Sequence, residues 1–326
     1  MASTPSNALL GALASRPALV GALTMYACCY WASGRAISRP APFGPRWLAV
    51  LVANLLTWIM RVIGQCPITA VPPEKPLVPG RQAVVVWHPH GGYTTMCLMH
   101  CAQFTASAKP LQWYPGVAPL LFKLPLFREM LLLLNARSVV GKSLEALLAA
   151  GHSIGVQPGG IPEQLLSDHR REIALFPRKL GFVRLAMRHG TDLLPVYIFG
   201  ENQAYITLGE RGIAFSASCF KWIGVPLVPV TGRLGLPWLV PTPTDVHVRW
   251  GNAVAVGAPS RDPSDEEVAA VFCRYLTELR RIFDKHKDAC LPPEVAARGL
   301  TVLFHGKGED PDGAQVQAVK SSASKL

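Results

Sequence analysis

Two histidines separated by one proline follow an apolar run and precede a glycine. The run covers residues 83–87, and the next four residues are His88-Pro89-His90-Gly91. An apolar run bounded by turn residues predicts a buried strand, and α/β proteins place their chemistry at strand ends. A neutral imidazole is the natural base near pH 7, and the intervening proline predicts that both rings project to one side. A structural pair and a metal site are the alternatives that this spacing leaves open.

A second predicted strand end carries a carboxylate. The strand predicted at residues 153–157 leads into the glycine turn Gly159-Gly160, and Glu163 follows it. Two strand ends therefore carry titratable side chains, which favours a functional interpretation of the histidine pair.

Four blocks of sequence then carry a family resemblance. They are His88-Pro89-His90-Gly91, Gly159-Gly160-Ile161-Pro162-Glu163, residues 181–190 continuing through 194–197 to 199–202, and Phe283-Asp284-Lys285-His286-Lys287. From about residue 82 to residue 287 the chain resembles the type-2 diacylglycerol acyltransferases, a family that includes monoacylglycerol and wax-alcohol acyltransferases. Two departures from the family pattern, Lys179-Leu180 and Phe272, bear on acyl-chain and acceptor preference.

The resemblance implies an acyl-CoA-dependent transfer of a fatty acyl chain to diacylglycerol, giving triacylglycerol. Acyl-CoA is then a co-substrate, and neither a cofactor nor a metal is expected. His90 is expected to be the general base, His88 to orient it or share its work, and Glu163 to pair with the imidazole or position the acceptor hydroxyl. A helix cap is the alternative role for Glu163.

Other outcomes remain open at this stage. The acceptor is alternatively a monoacylglycerol or a long-chain alcohol, and a non-catalytic lipid-binding membrane protein is an alternative of another class. A metal site built from His88, His90 and His100, as in a metal-dependent lipid hydrolase, is a weaker alternative.

A wider set of residues is expected to bind substrate. Arg184 and Arg188 lie four residues apart on a predicted helix and are suited to the phosphates of coenzyme A, with solvated surface residues as the alternative. Glu201 and Asn202 are alternatively partners for backbone groups after a strand. The complete set is Pro89, Gly91, Gly159, Gly160, Lys179, Arg184, Arg188, Glu201 and Asn202.

The alternation of apolar strands with helical stretches predicts an α/β fold. With the resemblance, this becomes a glycerolipid-acyltransferase-like central β-sheet flanked by helices, preceded by an N-terminal membrane-embedded helical segment. The predicted divisions are a helical segment at 1–64, a proline-rich linker at 65–81, an acyltransferase domain at 82–290 and a tail at 291–326. The clearest helix is predicted over 265–287, with Ser264 and Glu267 forming a capping box. Residues 209–244, which carry Trp222 and Trp238, are predicted to line a lipid pocket, touch the membrane or form a loop packed on the core.

Composition agrees with an enzyme that works on lipids. Half of the residues are hydrophobic, 16% are charged and the net charge is +11, which favours anionic partners such as a lipid surface or the phosphates of coenzyme A. Scattered basic residues without a recognition module argue against nucleic acid. Eight cysteines without a Cys-x-x-Cys pair indicate a reducing, cytosol-facing environment.

Two charge-free stretches precede the histidine motif, between Arg16 and Arg35 and between Arg46 and Arg61. Both are short or borderline for a span, so a shallow hairpin or interfacial helix competes with two spans, and a buried core helix is the alternative. The last three residues, Ser324-Lys325-Leu326, match the tripeptide read by peroxisomal import receptors. The resemblance implies the endoplasmic reticulum and lipid droplets instead, and a homo-oligomer is also open.

Overall fold

The structure is a computed structural model that describes residues 17–107, 113–224, 226–235 and 240–305. Its centre is a seven-stranded sheet with the order β1-β10-β7-β2-β5-β3-β4. The strands of this sheet are β1 (Ile68–Val71), β2 (Ala83–His88), β3 (Trp113–Val117), β4 (Arg137–Ser138), β5 (Ser153–Val156), β7 (Asp192–Phe199) and β10 (Val246–Trp250). Two further sheets pair β6 (Glu172–Pro177) with β11 (Leu300–His305), and β8 (Ile206–Thr207) with β9 (Val230–Thr231).

Strand β2 lies in the middle of the sheet, and every one of its residues is buried. It pairs in parallel with β5 on one side and with β7 on the other, with His88 opposite Tyr197. Strand β10 is antiparallel to β7. The predicted buried strand before the histidines is confirmed, and the predicted α/β sheet flanked by helices is confirmed with it.

Helices cover both faces of the sheet. They are α1 (Pro17–Ser33), α2 (Arg46–Val62), α3 (Thr95–Ala106), α4 (Phe127–Leu133), α5 (Gly141–Ala149), α6 (Gly160–Leu165), α7 (Gly181–His189), α8 (Gly209–Ile223), α9 (Asp265–Cys290) and α10 (Pro293–Arg298). Short 3-10 helices span Gly34–Ser38, Pro119–Lys123 and Arg233–Gly235.

Alternate side chains of β2 enter two different cores. Val84 and Val86 pack in the cluster formed with helices α5, α7 and α9. Val85 and Trp87 pack in the second cluster, with residues of α2 and α3. Because successive side chains of a strand point to opposite faces, this parity places His88 on the α9 side.

The long helix is confirmed as α9, which continues three residues beyond the predicted end at residue 287. The capping box is also present. Ser264 Oγ accepts a hydrogen bond of 3.2 Å from the Glu267 N–H, and Glu267 Oε2 accepts one of 2.8 Å from the Ser264 N–H. This reciprocal pair satisfies amide groups that a helix start otherwise leaves unpaired.

The predicted division into linker and tail differs from the structure. The linker at 65–81 contains β1, which pairs in parallel with β10 and so extends the central sheet. The tail at 291–326 begins with α10 and β11, and β11 pairs along its whole length with β6. Both short segments contain apolar residues that pair with existing strand edges, so the folded domain is longer than the motifs indicated.

Some predictions fall partly or wholly outside the described residues. The tripeptide Ser324-Lys325-Leu326 and Trp238 both lie there. Within residues 209–224, by contrast, the structure shows helix α8 in place of the loop that the proline and glycine content suggested.

The N-terminal helices α1 and α2 contain 17 residues each. Helix α2 packs against α3, and Ala53 of α2 is fully buried there. Helix α1 is tied to the domain by Tyr26, whose hydroxyl donates to Glu129 Oε2 at 3.0 Å. Across the part of the chain that the structure describes, no helix is both long and apolar enough to cross a bilayer.

The close packing of β5 under two tryptophans yields a first prediction. A Cβ atom at Gly155 would lie 2.9 Å from Trp113 Cδ1 and 3.0 Å from Trp87 Nε1. We expect Gly155→Ala to lower the free energy of unfolding by about 1–3 kcal/mol, because an added methyl group overfills a packed core. Denaturant unfolding measures this change.

The matched control is Gly141→Ala, at the first position of α5, where an added Cβ meets nothing within 4 Å. There the helix propensity of alanine is expected to raise stability by up to about 1 kcal/mol. Equal effects of the two substitutions would contradict the packing argument.

Candidate active site

His88, the last residue of β2, is fully buried. Its Nε2 lies 2.8 Å from the Tyr275 hydroxyl of α9, and its ring packs 5.1 Å from the Phe176 ring. Burial lowers the pKa of His88 to about 3, so its imidazole is neutral at physiological pH. This contact joins the end of the central strand to α9.

His90 is only partly buried, and its Nδ1 is engaged from two directions. Nδ1 lies 3.1 Å from the Gly91 carbonyl oxygen and 3.1 Å from Thr94 Oγ1, while Thr94 Oγ1 donates to the His90 carbonyl oxygen at 3.0 Å. A carbonyl oxygen only accepts hydrogen bonds, so Nδ1 carries the proton. This network therefore assigns the tautomer in which Nε2 bears the lone pair.

Nε2 of His90 is thus the basic nitrogen of residues 88–91, which we call the histidine loop. Burial lowers the pKa of His90 below its usual value, which keeps the ring neutral near pH 7. The two imidazoles have different partners, and no described contact joins them. The arrangement suits His90 to general-base chemistry, whereas His88 is enclosed by core residues.

Glu163, in the first turn of α6, holds the backbone of the histidine loop. Its Oε1 accepts from the His90 N–H at 2.5 Å, and its Oε2 accepts from the Leu175 N–H of β6 at 2.9 Å. The carboxylate therefore bonds the backbone of His90, and its predicted role in pairing with the imidazole or positioning the acceptor hydroxyl stays a prediction. Burial raises the pKa of Glu163 to about 7, and the two backbone hydrogen bonds oppose that rise.

The predicted substrate-binding glycines make room for carboxylates. A Cβ atom at Gly159 would lie 2.0 Å from Glu163 Oε2, and one at Gly91 would lie 2.7 Å from Glu201 Cγ. Gly91 also has a φ of +66°, which favours glycine. The absence of a Cβ atom at Gly159 and Gly91 therefore lets the two glutamate side chains approach the backbone closely. Gly160, with a φ of +51°, is the first residue of α6.

Glu201 and Asn202 follow the end of β7, and both contact backbone groups, whereas their role in binding substrate stays a prediction. Glu201 Oε1 accepts from the Met96 N–H at 3.1 Å, and its Oε2 accepts from the Cys97 N–H at 2.8 Å. The carboxylate thus occupies the N-terminus of α3, where helix amides lack intrahelical partners. Asn202 Nδ2 donates to the Arg171 carbonyl oxygen at 3.3 Å.

Sequence reasoning missed Glu172 and Thr94. Glu172 is buried at the start of β6 and accepts from the Tyr197 hydroxyl at 2.7 Å and from Gln203 at 2.8 Å. A charged residue opening an otherwise apolar strand was the available signal for Glu172. Thr94 had a weaker signal, since it lies four residues after His90 in a stretch that the pattern left unassigned.

The basic residues predicted to bind coenzyme A form surface contacts. Arg184 pairs with Asp265 and also donates to the Pro263 carbonyl oxygen at 2.8 Å. Arg188 Nη2 lies 2.9 Å from Glu145 Oε1, and Lys179 is exposed in the turn before α7. No described contact brings them to His90, so their role in binding phosphate stays a prediction.

The alternative metal set is spread over separate environments. His100 of α3 packs its ring against Trp87 and Phe104, on the opposite side of the sheet from His88. A search of the described ranges finds no group of three or more histidine, cysteine or carboxylate side chains arranged to hold a metal ion.

A small recess borders the two residues that flank His90. Its wall is formed by Pro89, Gly91, Glu163, Ser167, Arg171 and Asn202, among others. Ser167 Oγ donates to Asn202 Oδ1 at 3.2 Å inside this wall. Polar side chains of the protein therefore line a recess beside the histidine loop.

Comparison with known proteins identifies the family. A family model described as diacylglycerol acyltransferase matches residues 56–296, well over half of the chain. The chain belongs to the diacylglycerol acyltransferase family. Its reaction class is acyl transfer, and the predicted resemblance is confirmed.

Relatives within this family carry different acceptor names. Diacylglycerol O-acyltransferase 2B of Umbelopsis ramanniana is 31% identical over 261 residues, covering 73% of this chain and 72% of the relative. Human 2-acylglycerol O-acyltransferase 3 is 32% identical, covering 67% and 68%. Mouse acyl-CoA wax alcohol acyltransferase 2 is 30% identical, covering 65% and 68%.

A solved structure, the 1-acyl-sn-glycerophosphate acyltransferase PlsC of Thermotoga maritima, is a distant match. It shares 18% identity with a TM-score of 0.41, covering 79% of this chain and 96% of the other. Because identity and TM-score are this low, no residue role is transferred from it to this diacylglycerol acyltransferase family member.

The Thr94 hydroxyl yields a second prediction. Thr94→Val removes a group that accepts from His90 Nδ1 and donates to the His90 carbonyl oxygen. We expect kcat for acyl transfer to fall by about tenfold, because the imidazole loses one of the two groups that orient it. Thr94→Ser keeps the hydroxyl and is expected to retain most activity.

Steady-state kinetics with a fixed acceptor and varied pH checks this role. A positioning role predicts a loss in kcat with little change in substrate KM, and rescue by serine. Equal losses of activity in Thr94→Ser and Thr94→Val would contradict this role, because only Thr94→Val removes the hydroxyl.

Glu201 yields a third prediction, on pH. Burial raises its pKa from 4.5 to about 7, so the protonated carboxyl is favoured by folding. When the pKa of a group is higher in the folded protein than in the unfolded chain, the group stabilises the fold at pH values below its unfolded pKa. That contribution is lost as the pH rises through the folded pKa. We subtract the free energy of unfolding of Glu201→Gln from that of the wild type. This difference is therefore expected to decrease as the pH rises from about 4.5 to about 7.

Denaturant unfolding at a series of pH values measures this difference. Glu266→Gln, at an exposed position in the first turn of α9, is the control for loss of an unburied carboxylate. A difference that rises with pH over this interval would show that Glu201 is stabilised in its ionised form.

Proposed function

We propose that this chain is an acyl-CoA-dependent O-acyltransferase that esterifies diacylglycerol to triacylglycerol, with His90 as the general base. The observation that supports this most is the hydrogen bonding of His90. Gly91 and Thr94 both engage Nδ1, which leaves Nε2 as the basic atom of a residue that is partly buried. The reaction needs acyl-CoA as co-substrate and no further cofactor.

The chemistry follows from this tautomer. Nε2 of His90 takes the proton of the acceptor hydroxyl while its oxygen attacks the thioester carbon. The new C–O bond forms and the C–S bond breaks, and the imidazolium returns its proton to the leaving thiolate of coenzyme A. A neutral base near pH 7 suits both proton transfers, because it accepts and releases the proton without a large cost.

The neighbouring groups act as positioning residues in this scheme. Glu163 fixes the backbone amide of His90, and His88 fixes the preceding strand end through Tyr275. The recess between Pro89, Gly91 and Asn202 provides a polar approach for the acceptor hydroxyl. Pro89, Gly91, Gly159 and Gly160 then contribute by setting the shape of the loop.

The basic residues of α7 are proposed to bind the phosphates of coenzyme A. Arg184 pairs with Asp265, whose side chain is 87% exposed, and Arg188 pairs with a half-exposed Glu145. Exposed ion pairs contribute about 0–1 kcal/mol, so a multiply charged phosphate can displace these carboxylates. Lys179 adds an exposed cation just before the same helix.

Membrane association is proposed to begin at the N-terminal helices. Leu23, Met25 and Trp31 of α1, and Trp47, Leu51 and Trp58 of α2, are exposed large apolar side chains. Such surfaces are typical of lipid or protein contacts. The proposed location is the membrane of the endoplasmic reticulum or a lipid droplet, with peroxisomal import through Ser324-Lys325-Leu326 and self-association as additional proposals.

His90→Ala provides the fourth prediction. Purified protein in liposomes is given labelled oleoyl-CoA with diacylglycerol, monoacylglycerol or hexadecanol in separate reactions. We expect labelled triacylglycerol from the wild type and a fall in rate of about 10²–10⁴ in the variant, because the hydroxyl proton loses its acceptor. Thermal unfolding checks that the variant remains folded.

The acceptor that gives product decides between the related activities. If only monoacylglycerol or only hexadecanol gives product, the proposed mechanism still holds and the proposed acceptor is wrong. Full activity of folded His90→Ala would overturn the base assignment, and no product from any acceptor would favour a lipid-binding protein. The acid limb of kcat/KM is expected below pH 6.5, since burial lowers the His90 pKa from that value and protonation removes the base.

A further inference from the structure

Helix α8 has one packed face and one uncovered face. Gly212 and Ser216 are buried on its inner face, where Ser216 Oγ donates to the Gly212 carbonyl oxygen at 2.9 Å. Phe215 and Trp222 lie seven residues apart, which places them on the same side of a helix. Phe215 is 50% exposed and Trp222 is 86% exposed.

Exposed apolar side chains also occur in the segments that precede and follow the helix in the sequence. Leu208, just before α8, is 59% exposed, and Leu234, after β9, is 87% exposed. We call Leu208, Phe215, Trp222 and Leu234 the α8 patch. Four large apolar side chains with this exposure between residues 208 and 234 indicate a surface that is covered by something else.

The charges near the α8 patch favour an anionic partner. Between residues 206 and 235 the basic residues are Arg211, Lys221 and Arg233, and the acidic residue is Glu210. Arg211 and Lys221 are exposed and flank the aromatic side chains on the helix. Aromatic residues beside lysine and arginine on an amphipathic helix are the pattern of helices that lie in a lipid interface.

Two sets of contacts connect α8 and the segment after it to the histidine loop. Helix α8 packs against α6, which carries Glu163. The segment that returns from α8 is held by Tyr93, whose hydroxyl donates to the Val228 carbonyl oxygen at 2.6 Å. A Cβ atom at Gly92 would lie 3.5 Å from Val228 Cγ1, so this segment covers the residues directly after His90 and Gly91.

We infer that the α8 patch docks on an anionic lipid surface and holds the histidine loop at the interface. This docking site is separate from α1 and α2, which lie on other parts of the chain. The inference deepens the proposed function, on which it rests, because a neutral lipid acceptor can then reach His90 directly from the lipid phase. Basic and aromatic side chains together match a bilayer with anionic headgroups.

Hydroxyl-radical footprinting of the full chain tests the docking without any need for catalysis. The probes are vesicles of phosphatidylcholine with phosphatidylserine, and vesicles of phosphatidylcholine alone. We expect oxidation of Phe215 and Trp222 to fall several-fold when anionic vesicles are added, and less with neutral ones. Cys273, exposed on α9, is the reference side chain and is expected to keep its oxidation rate.

Substitutions separate this patch from the N-terminal helices. The Phe215→Glu/Trp222→Glu double variant is expected to bind vesicles through the N-terminal helices, with Trp31 and Trp47 still protected. Its apparent KM for diacylglycerol in anionic liposomes is expected to rise about tenfold, because two apolar side chains no longer enter the interface. Activity with a short-chain acceptor dissolved in water is expected to be unchanged.

The control is Val78→Glu, which replaces an apolar side chain with one glutamate at a site that is 62% exposed and outside the patch. It is expected to behave as the wild type in every assay. Unchanged oxidation of Trp222 with vesicles would overturn the docking, as would protection that appears without lipid at high protein concentration and so indicates a second copy. If footprinting shows protection but no acceptor gives product, the proposed function fails and the docking stands.

Discussion

The histidine loop is held in place by one carboxylate that joins two sheets. Glu163 accepts from the His90 N–H at the end of the central sheet and from the Leu175 N–H of β6, which belongs to the smaller sheet. Strand β6 pairs with β11 in that smaller sheet, so the Glu163 side chain provides a hydrogen-bonded link between the two sheets. A backbone amide fixed in this way holds His90 without drawing on the imidazole, which stays available for proton transfer.

The same device recurs at the other side of the loop. Glu201 accepts from the amides of Met96 and Cys97 in the first turn of α3, the helix that follows Thr94. Both carboxylates are buried, and burial raises both pKa values to about 7. Backbone N–H groups partly offset the desolvation, and Gly91 and Gly159 leave the space that each side chain occupies. Glycines and glutamates in the motifs are therefore paired in space, one making room for the other.

Sequence patterns predicted what depends on local periodicity. The buried strand before His88, the long helix with its Ser264 capping box and the α/β class all follow from such patterns, and the structure confirms them. The roles of polar side chains depend on partners far away in the chain, such as Leu175 for Glu163 and Met96 for Glu201. No spacing rule encodes those partners, which explains why the sequence left a backbone role and a substrate role open for Glu201 and a helix cap as the alternative for Glu163.

The pairing of β11 with β6 has a consequence for biosynthesis. Leu303 lies opposite Leu175, the residue whose N–H anchors Glu163. Strand β6 therefore has one edge held by a segment that follows every motif residue in the chain. During translation the histidine loop, its carboxylate and α9 all leave the ribosome before residues 300–305. The strand that anchors Glu163 therefore gains its partner at this edge only after residues 300–305 have been synthesised.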